Sequence, residues 1–156
     1  MTEAPLGGGV VGVGVDAVDV ARFDRLLGRR PNIAVRMFTG AEQSTVEGSV
    51  NRAQMLAARF AAKEALMKSL GVGIGAFAFR DVEVQRTRGT DATRNAPYFV
   101  LRGQAAEVAV ARGADHFHLS MSHTDELAIA FVIAEAAPTP SAPTPFTSAR
   151  SQSVES

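Results

Sequence analysis

The densest chemistry in this chain lies in RFAAKEALMK, residues 59–68, which hold Arg59, Lys63, Glu64 and Lys68. Of the 16 Lys and Arg residues only Lys63 and Lys68 are lysines, and both fall in this stretch. At about 100° per residue, Arg59 and Lys63 lie roughly 40° apart on a helix. They sit inside the apolar stripe of Met55, Leu56, Phe60, Leu66, Met67 and Leu70 rather than opposite it. Cations within an apolar stripe are costly unless paired or given an anion. Two readings are open. The stems could lie on the core with the charged heads in water. Alternatively Arg59 and Lys63 could bind phosphate, with Lys68 as a third cation. Glu64 would then be free for a hard metal such as Mg²⁺, which takes one or two carboxylates and shares the phosphates of its substrate.

A magnesium site gains from a second carboxylate, and Asp16 is the best placed. In VVGVGVD, alternation puts Val11, Val13 and Val15 on one strand face and Gly12, Gly14 and Asp16 on the other. The two glycines leave room for a close backbone approach. Asp16 could instead cap a following helix, with Asp19 in its first turn. GVGVD lacks the third glycine of a dinucleotide fingerprint. All three histidines lie in HFHLSMSH, residues 116–123. His116 and His118 read as part of a polar strand face with Ser120 and Ser122. His123, at the strand end, is a candidate for catalysis or phosphate contact.

These residues need elements to hold them. The pattern predicts a strand over Val10–Val15 and a helix over Ala17–Gly28. A short helix follows over Ala41–Glu47, with Thr39 as a cap candidate. A long helix spans Arg52–Leu70, covered on its other side by Ala57, Ala58, Ala61, Ala62 and Ala65. Strands are expected at Phe79–Thr87 and Tyr98–Arg102, joined by the polar RGTDATRNAP, then a helix at Gln104–Ala111. Strands at His116–Ser122 and Leu127–Ala134 complete the body. This order predicts an α+β fold, an antiparallel sheet packed against a long buried helix. Residues 9–135 form one domain. Residues 1–8 are expected to be flexible, and 136–156, rich in Pro, Ser, Thr and Ala, disordered.

Composition narrows the function classes. The formal net charge is zero, which argues against non-specific nucleic-acid binding. Residues 1–80 carry 10 basic and 7 acidic side chains, so +3, and the remainder is −3. The basic half suits an anionic ligand or an acidic partner. No aromatic platform accompanies the arginines, so an RNA-binding surface is not indicated. The absence of cysteine excludes a disulfide framework and a thiol nucleophile. No apolar run is long enough to span a membrane, and MTEAPLGGG does not read as a signal peptide, so a cytoplasmic protein is expected.

Taken together, the three stretches resemble the phosphopantetheinyl transferase superfamily, in its short bacterial holo-acyl-carrier-protein synthase type. The long-helix segment matches its signature: Phe60, two residues, Lys63-Glu64-Ala65, two residues, Lys68. GVGVD ending at Asp16 matches its N-terminal Gly-x-Asp, and LSMSH ending at His123 its C-terminal Ser-x-Ser-His. GVGIG, residues 71–75, and Pro97-Tyr98 fall where the family has similar loops. Asn95-Ala96-Pro97 departs from the common Gly-x-Pro. The resemblance implies a 4′-phosphopantetheinyl transferase-like fold. The implied reaction is transfer of 4′-phosphopantetheine from coenzyme A to a serine of an acyl carrier protein, releasing adenosine 3′,5′-bisphosphate. It implies Asp16 and Glu64 as Mg²⁺ ligands and, with Lys68, as catalytic residues. It implies coenzyme A contacts from Arg59, Lys63, Lys68, Gly71, Pro97 and His123. It implies docking of the acidic carrier on Arg22, Arg25, Leu26 and Arg29, and a homotrimer with sites between subunits. The competing reading is a non-catalytic coenzyme A or nucleotide binder that keeps the pocket.

Overall fold

The computed structural model describes residues 8–88 and 95–138. The expectations for the two tails fall almost wholly outside this range, as does the middle of RGTDATRNAP.

Strand β1, Val10–Asp19, pairs antiparallel with β5, Leu127–Glu135, which pairs antiparallel with β4, His116–His123. A separate antiparallel pair joins β2, Val82–Arg86, to β3, Pro97–Leu101. Helix α1 spans Val20–Arg29, α2 Pro31–Met37, α3 Gly40–Val46, α4 Arg52–Ser69 and α5 Gly103–Ala111. The α+β expectation holds, with α4 packed on the three-stranded sheet as its buried helix.

Gly12 and Gly14 make that packing possible. A Cβ on Gly14 would overlap Ala65 O, and one on Gly12 would overlap Ser69 O. The helix backbone therefore rests directly on β1, and the alanine side of α4 is the matching surface. Residues Ala61, Ala62 and Ala65 are fully buried. Two apolar clusters flank α4. One gathers its C-terminal half with β2, α5, β4 and β5, and the other its N-terminal half with α1–α3.

The first helix differs from expectation. β1 runs on to Asp19, because pairing with β5 continues to Asp19↔Leu127, and α1 starts only at Val20. Asp19 is the cap, accepting from Arg22 N at 2.7 Å. Asp16 thus stays in the strand, which rules out the capping reading for it. The helix passes Gly28 by one residue, and α2, started by Pro31, was not anticipated. Thr39 caps α3 as expected, in a capping box with Glu42. Phe79–Asp81 form a 3-10 turn, so β2 begins only at Val82.

The sheet face away from α4 is apolar along β1 and β5. The cross-strand pairs Val15↔Phe131 and Val13↔Ile133 lie on it, and Val15 and Phe131 are 50% and 44% exposed. Ile129 and Val13 extend the patch. His118, Ser120 and Ser122 of β4 continue the same face as a polar edge. No helix among the described residues is long and apolar enough to cross a membrane.

Candidate active site

Asp16 lies on the inner face of β1, one strand period beyond Gly14. The close approach that the glycines permit brings the last turns of α4 alongside it. Lys68 Nζ donates to Asp16 Oδ1 at 2.8 Å and to Val15 O at 3.1 Å. Glu64 and Asp16 line one cleft of about 540 Å³ with Asp19, Arg22, Leu26 and Phe60. Burial pushes the Glu64 carboxyl above its ordinary pKa; the Asp16 charge adds to this and Lys68 opposes it.

Phe60 explains why the signature begins on an aromatic residue. Its ring stacks on Phe23 of α1 at 5.0 Å and packs against Phe79 at 5.5 Å. That contact seats α1 beside Glu64, so Arg22 and Leu26 border the two carboxylates. Arg25 and Arg29 are exposed on α1 and do not line the cleft.

Among the described residues, two buried side-chain polar atoms have no hydrogen-bond partner: Glu64 Oε1 and Arg59 Nε. A buried carboxylate oxygen without a donor is costly unless something positive completes it. Paired with Asp16, it supplies the oxygen chemistry of a Mg²⁺ site that also shares substrate phosphates. The residues present therefore fit the ion. No cluster of three or more His, Asp or Glu forms a metal site among the described residues, so the three histidines do not gather as one.

Arg59 belongs to a different cleft. It is 3% exposed and donates through Nη1 to Met55 O at 3.1 Å. With Glu83, Gln85, Arg86, Asn95 and Tyr98 it lines a cavity of about 680 Å³. Burial lowers its pKa, Glu42 opposing and Arg86 adding. Arg59 lines this cavity, and its buried Nε has no partner, a combination that suits an anionic ligand. Snorkelling does not describe Arg59 or Lys63, since both are buried.

Lys63 requires a correction. Its ammonium is fully buried and donates to Glu42 Oε2 and Met37 O, each at 2.7 Å, and to Phe79 O at 3.1 Å. An ammonium has three donors, and all three are engaged, so none is left for the expected phosphate contact. Burial lowers its pKa against the opposing pull of Glu42. Glu42 in turn accepts from Val84 N at 3.0 Å and from Thr39 N at 2.9 Å. The pair locks α3, α4 and β2 together. Glu42 was missed by sequence reasoning. The Thr39-x-x-Glu42 spacing marks it as a helix-start residue, but nothing local marks it as the partner of Lys63. Arg86 and Tyr98 were likewise missed, as they join Arg59 only through the β2–β3 pairing.

Gly71 ends α4 in a left-handed conformation, φ 65°, where its N–H donates to Lys68 O at 3.0 Å. Pro97 starts β3 opposite Arg86. Asn95 has φ 67°, the one positive value outside glycine among the described residues. A Gly is suited to that backbone and Asn is one of the few residues that tolerates it, which accounts for the Asn95-Ala96-Pro97 departure. His123 ends β4, exposed, opposite Ala128. Neither cleft is lined by Gly71, Pro97 or His123.

Comparison with known proteins places this geometry. Residues 12–132 match the family model of the 4′-phosphopantetheinyl transferase superfamily. A holo-(acyl-carrier-protein) synthase of Clavibacter michiganensis subsp. michiganensis is 49% identical over 80% of this chain and 94% of its own length. The crystal structure of holo-(acyl-carrier-protein) synthase from Neisseria meningitidis superposes with a TM-score of 0.70 at 32% identity, covering 81% of this chain and 98% of that one. The Bacillus anthracis synthase in complex with CoA (3′,5′-ADP) gives 0.64 at 30% identity, covering 82% and 98%. With a family model that matches residues 12–132 and a relative of this identity, the chain belongs to the 4′-phosphopantetheinyl transferase superfamily, among the holo-(acyl-carrier-protein) synthases.

Proposed function

We propose that this protein transfers 4′-phosphopantetheine from coenzyme A to a serine of an apo acyl carrier protein, with Mg²⁺ held by Asp16 and Glu64. The observation that carries the reading is the orphaned Oε1 of Glu64, a residue that lines one cleft with Asp16, Arg22 and Leu26. When bound, Mg²⁺ supplies charge neutralisation on the diphosphate. The chain's own residues do the positioning. Lys68 stands at Asp16 with a half-exposed side chain, its ammonium able to meet a phosphate. Arg59 lines the larger cleft, where a phosphate of coenzyme A is bound, and adds a buried positive charge there. Phosphoryl transfer depends mainly on such preorganised charge. His123, Gly71 and Pro97 act as further coenzyme A contacts. The exposed Arg22, Arg25 and Arg29 with Leu26 offer an acidic carrier a basic face with an apolar centre.

The protein works as a homotrimer in the cytoplasm. The apolar patch of Val13, Val15, Ile129 and Phe131 supports assembly, since a contiguous apolar sheet face is a poor surface for water. A site shared between subunits, one subunit's Asp16 and Glu64 beside a neighbour's basic helix, also suits two residues that stand apart from the carboxylates. Arg59 lines a cleft apart from Asp16 and Glu64, and His123 lines neither.

The test is incubation with coenzyme A, Mg²⁺ and an apo carrier protein from the same source, followed by mass spectrometry. The carrier gains the mass of one phosphopantetheinyl group, and the gain disappears in chelator. Coenzyme A binding without any gain would favour a non-catalytic binder.

A further inference from the structure

Glu64 Oε1 is buried and unpartnered, but Asp16 is already engaged by a cation, the Lys68 ammonium at 2.8 Å. A divalent ion entering between the two carboxylates meets one with an unpartnered oxygen and one whose Oδ1 already accepts from a cation. The charges of the three side chains sum to one negative unit, a weak attraction for a dication. A diphosphate brought alongside adds negative charge and offers the ammonium a second anion. Lys68 is free to accept it. Its side chain is 51% exposed, while that of Asp16 is 15% exposed. Among the described residues it has two acceptors, Asp16 Oδ1 and Val15 O, and its stem is flexible. Release from Asp16 would not disturb the core, because Lys68 is the exposed position of the last turns of α4.

We propose that Lys68 is a resident counter-ion of the Asp16 carboxylate, competing with the divalent cation and releasing the carboxylate when a diphosphate-bearing ligand arrives. Metal affinity is thereby kept low in the empty site and rises with coenzyme A, a coupling that must be reciprocal. The proposal rests on the metal reading above.

The experiment is a Mn²⁺ titration of the full chain, with the free ion followed by electron paramagnetic resonance. It compares the wild type, Lys68→Met and Lys68→Arg. Without coenzyme A, Lys68→Met binds Mn²⁺ about tenfold more tightly, since a positive charge a few ångströms from the ion is gone. Lys68→Arg keeps the charge and stays near the wild type. Coenzyme A improves Mn²⁺ affinity by a smaller factor in Lys68→Met than in the wild type. Adenosine 3′,5′-bisphosphate, which has no diphosphate bridge, leaves the difference between the two unchanged. Equal or weaker Mn²⁺ binding by Lys68→Met overturns the counter-ion role while leaving the metal site standing. Equal affinities of Lys68→Met and Lys68→Arg overturn it too. No Mn²⁺ binding by any of the three proteins, with or without coenzyme A, removes the metal reading and this inference together.

Discussion

Replacing Gly14 with alanine tests the link between packing and the site. The new Cβ would overlap Ala65 O and lie 2.7 Å from Ser69 N and 2.8 Å from Ala65 C. Ordinary carbon contacts begin near 3.5 Å, so α4 must withdraw from β1 by roughly 1 Å. The obstacles are helix backbone, not the end of a flexible side chain, so the overpacking cost falls at the upper end of its range, about 3 kcal/mol. Loss of unfolded-state freedom on going from Gly to Ala returns about 0.7 kcal/mol. The expected net loss is about 2 kcal/mol. Glu64 and Lys68 adjoin Ala65 and Ser69, whereas Asp16 rides on β1, so the same withdrawal separates the carboxylates. A displacement of about 1 Å at a positioned site costs on the order of 100-fold in turnover. Urea denaturation reads the stability, and the initial rate of carrier modification reads the turnover. Gly28→Ala serves as the control: nothing lies within 4 Å of its Cβ, and alanine within α1 stabilises by about 0.5–1 kcal/mol. A Gly14→Ala protein with wild-type stability and rate would refute the claim that direct backbone contact sets the site.

Three further outcomes follow from particular contacts. Lys63→Met leaves Glu42 buried with backbone donors alone and lowers stability by about 3 kcal/mol in urea melts; coenzyme A affinity per folded molecule is unchanged, and a selective loss of affinity would restore the phosphate role. Glu64→Gln nearly abolishes transfer. Because the folded pKa of Glu64 is raised, wild-type stability falls as pH rises from the ordinary glutamate value through that raised one. Glu64→Gln escapes this loss and is at least as stable at neutral pH, which thermal melts across pH would read; a destabilised variant would contradict the account. Arg22→Glu with Arg25→Glu, both at exposed positions, lowers kcat/KM for the carrier about tenfold and flattens its dependence on salt. Unchanged kcat/KM would move the docking face elsewhere.

The elements were largely legible before the structure, and the reasons are local. The α4 boundaries follow from a long helical period, and the strands of the main sheet from alternation. The start of α1 was misplaced because β1 continues only where β5 lies beside it, and that pairing is between residues more than 100 positions apart. The role of Asn95 was visible as a departure from a pattern, but its cause, a left-handed backbone, needed coordinates.

By itself, the sequence determined the kinds of groups available and their order. It assigned Asp16 to a glycine-bearing strand face, Glu64 and Lys68 to one helix, and Arg59 and Lys63 to its apolar side. Only the tertiary structure decided what each group meets. Lys63 is taken by Glu42 from α3, Lys68 by Asp16 from β1, and Arg59 and Glu64, each with one buried atom left unpartnered, line two different clefts. Helical spacing sets the direction in which a side chain leaves its own helix. Which acceptor waits there depends on elements brought up from elsewhere in the chain, and a charge's availability is settled by that partner.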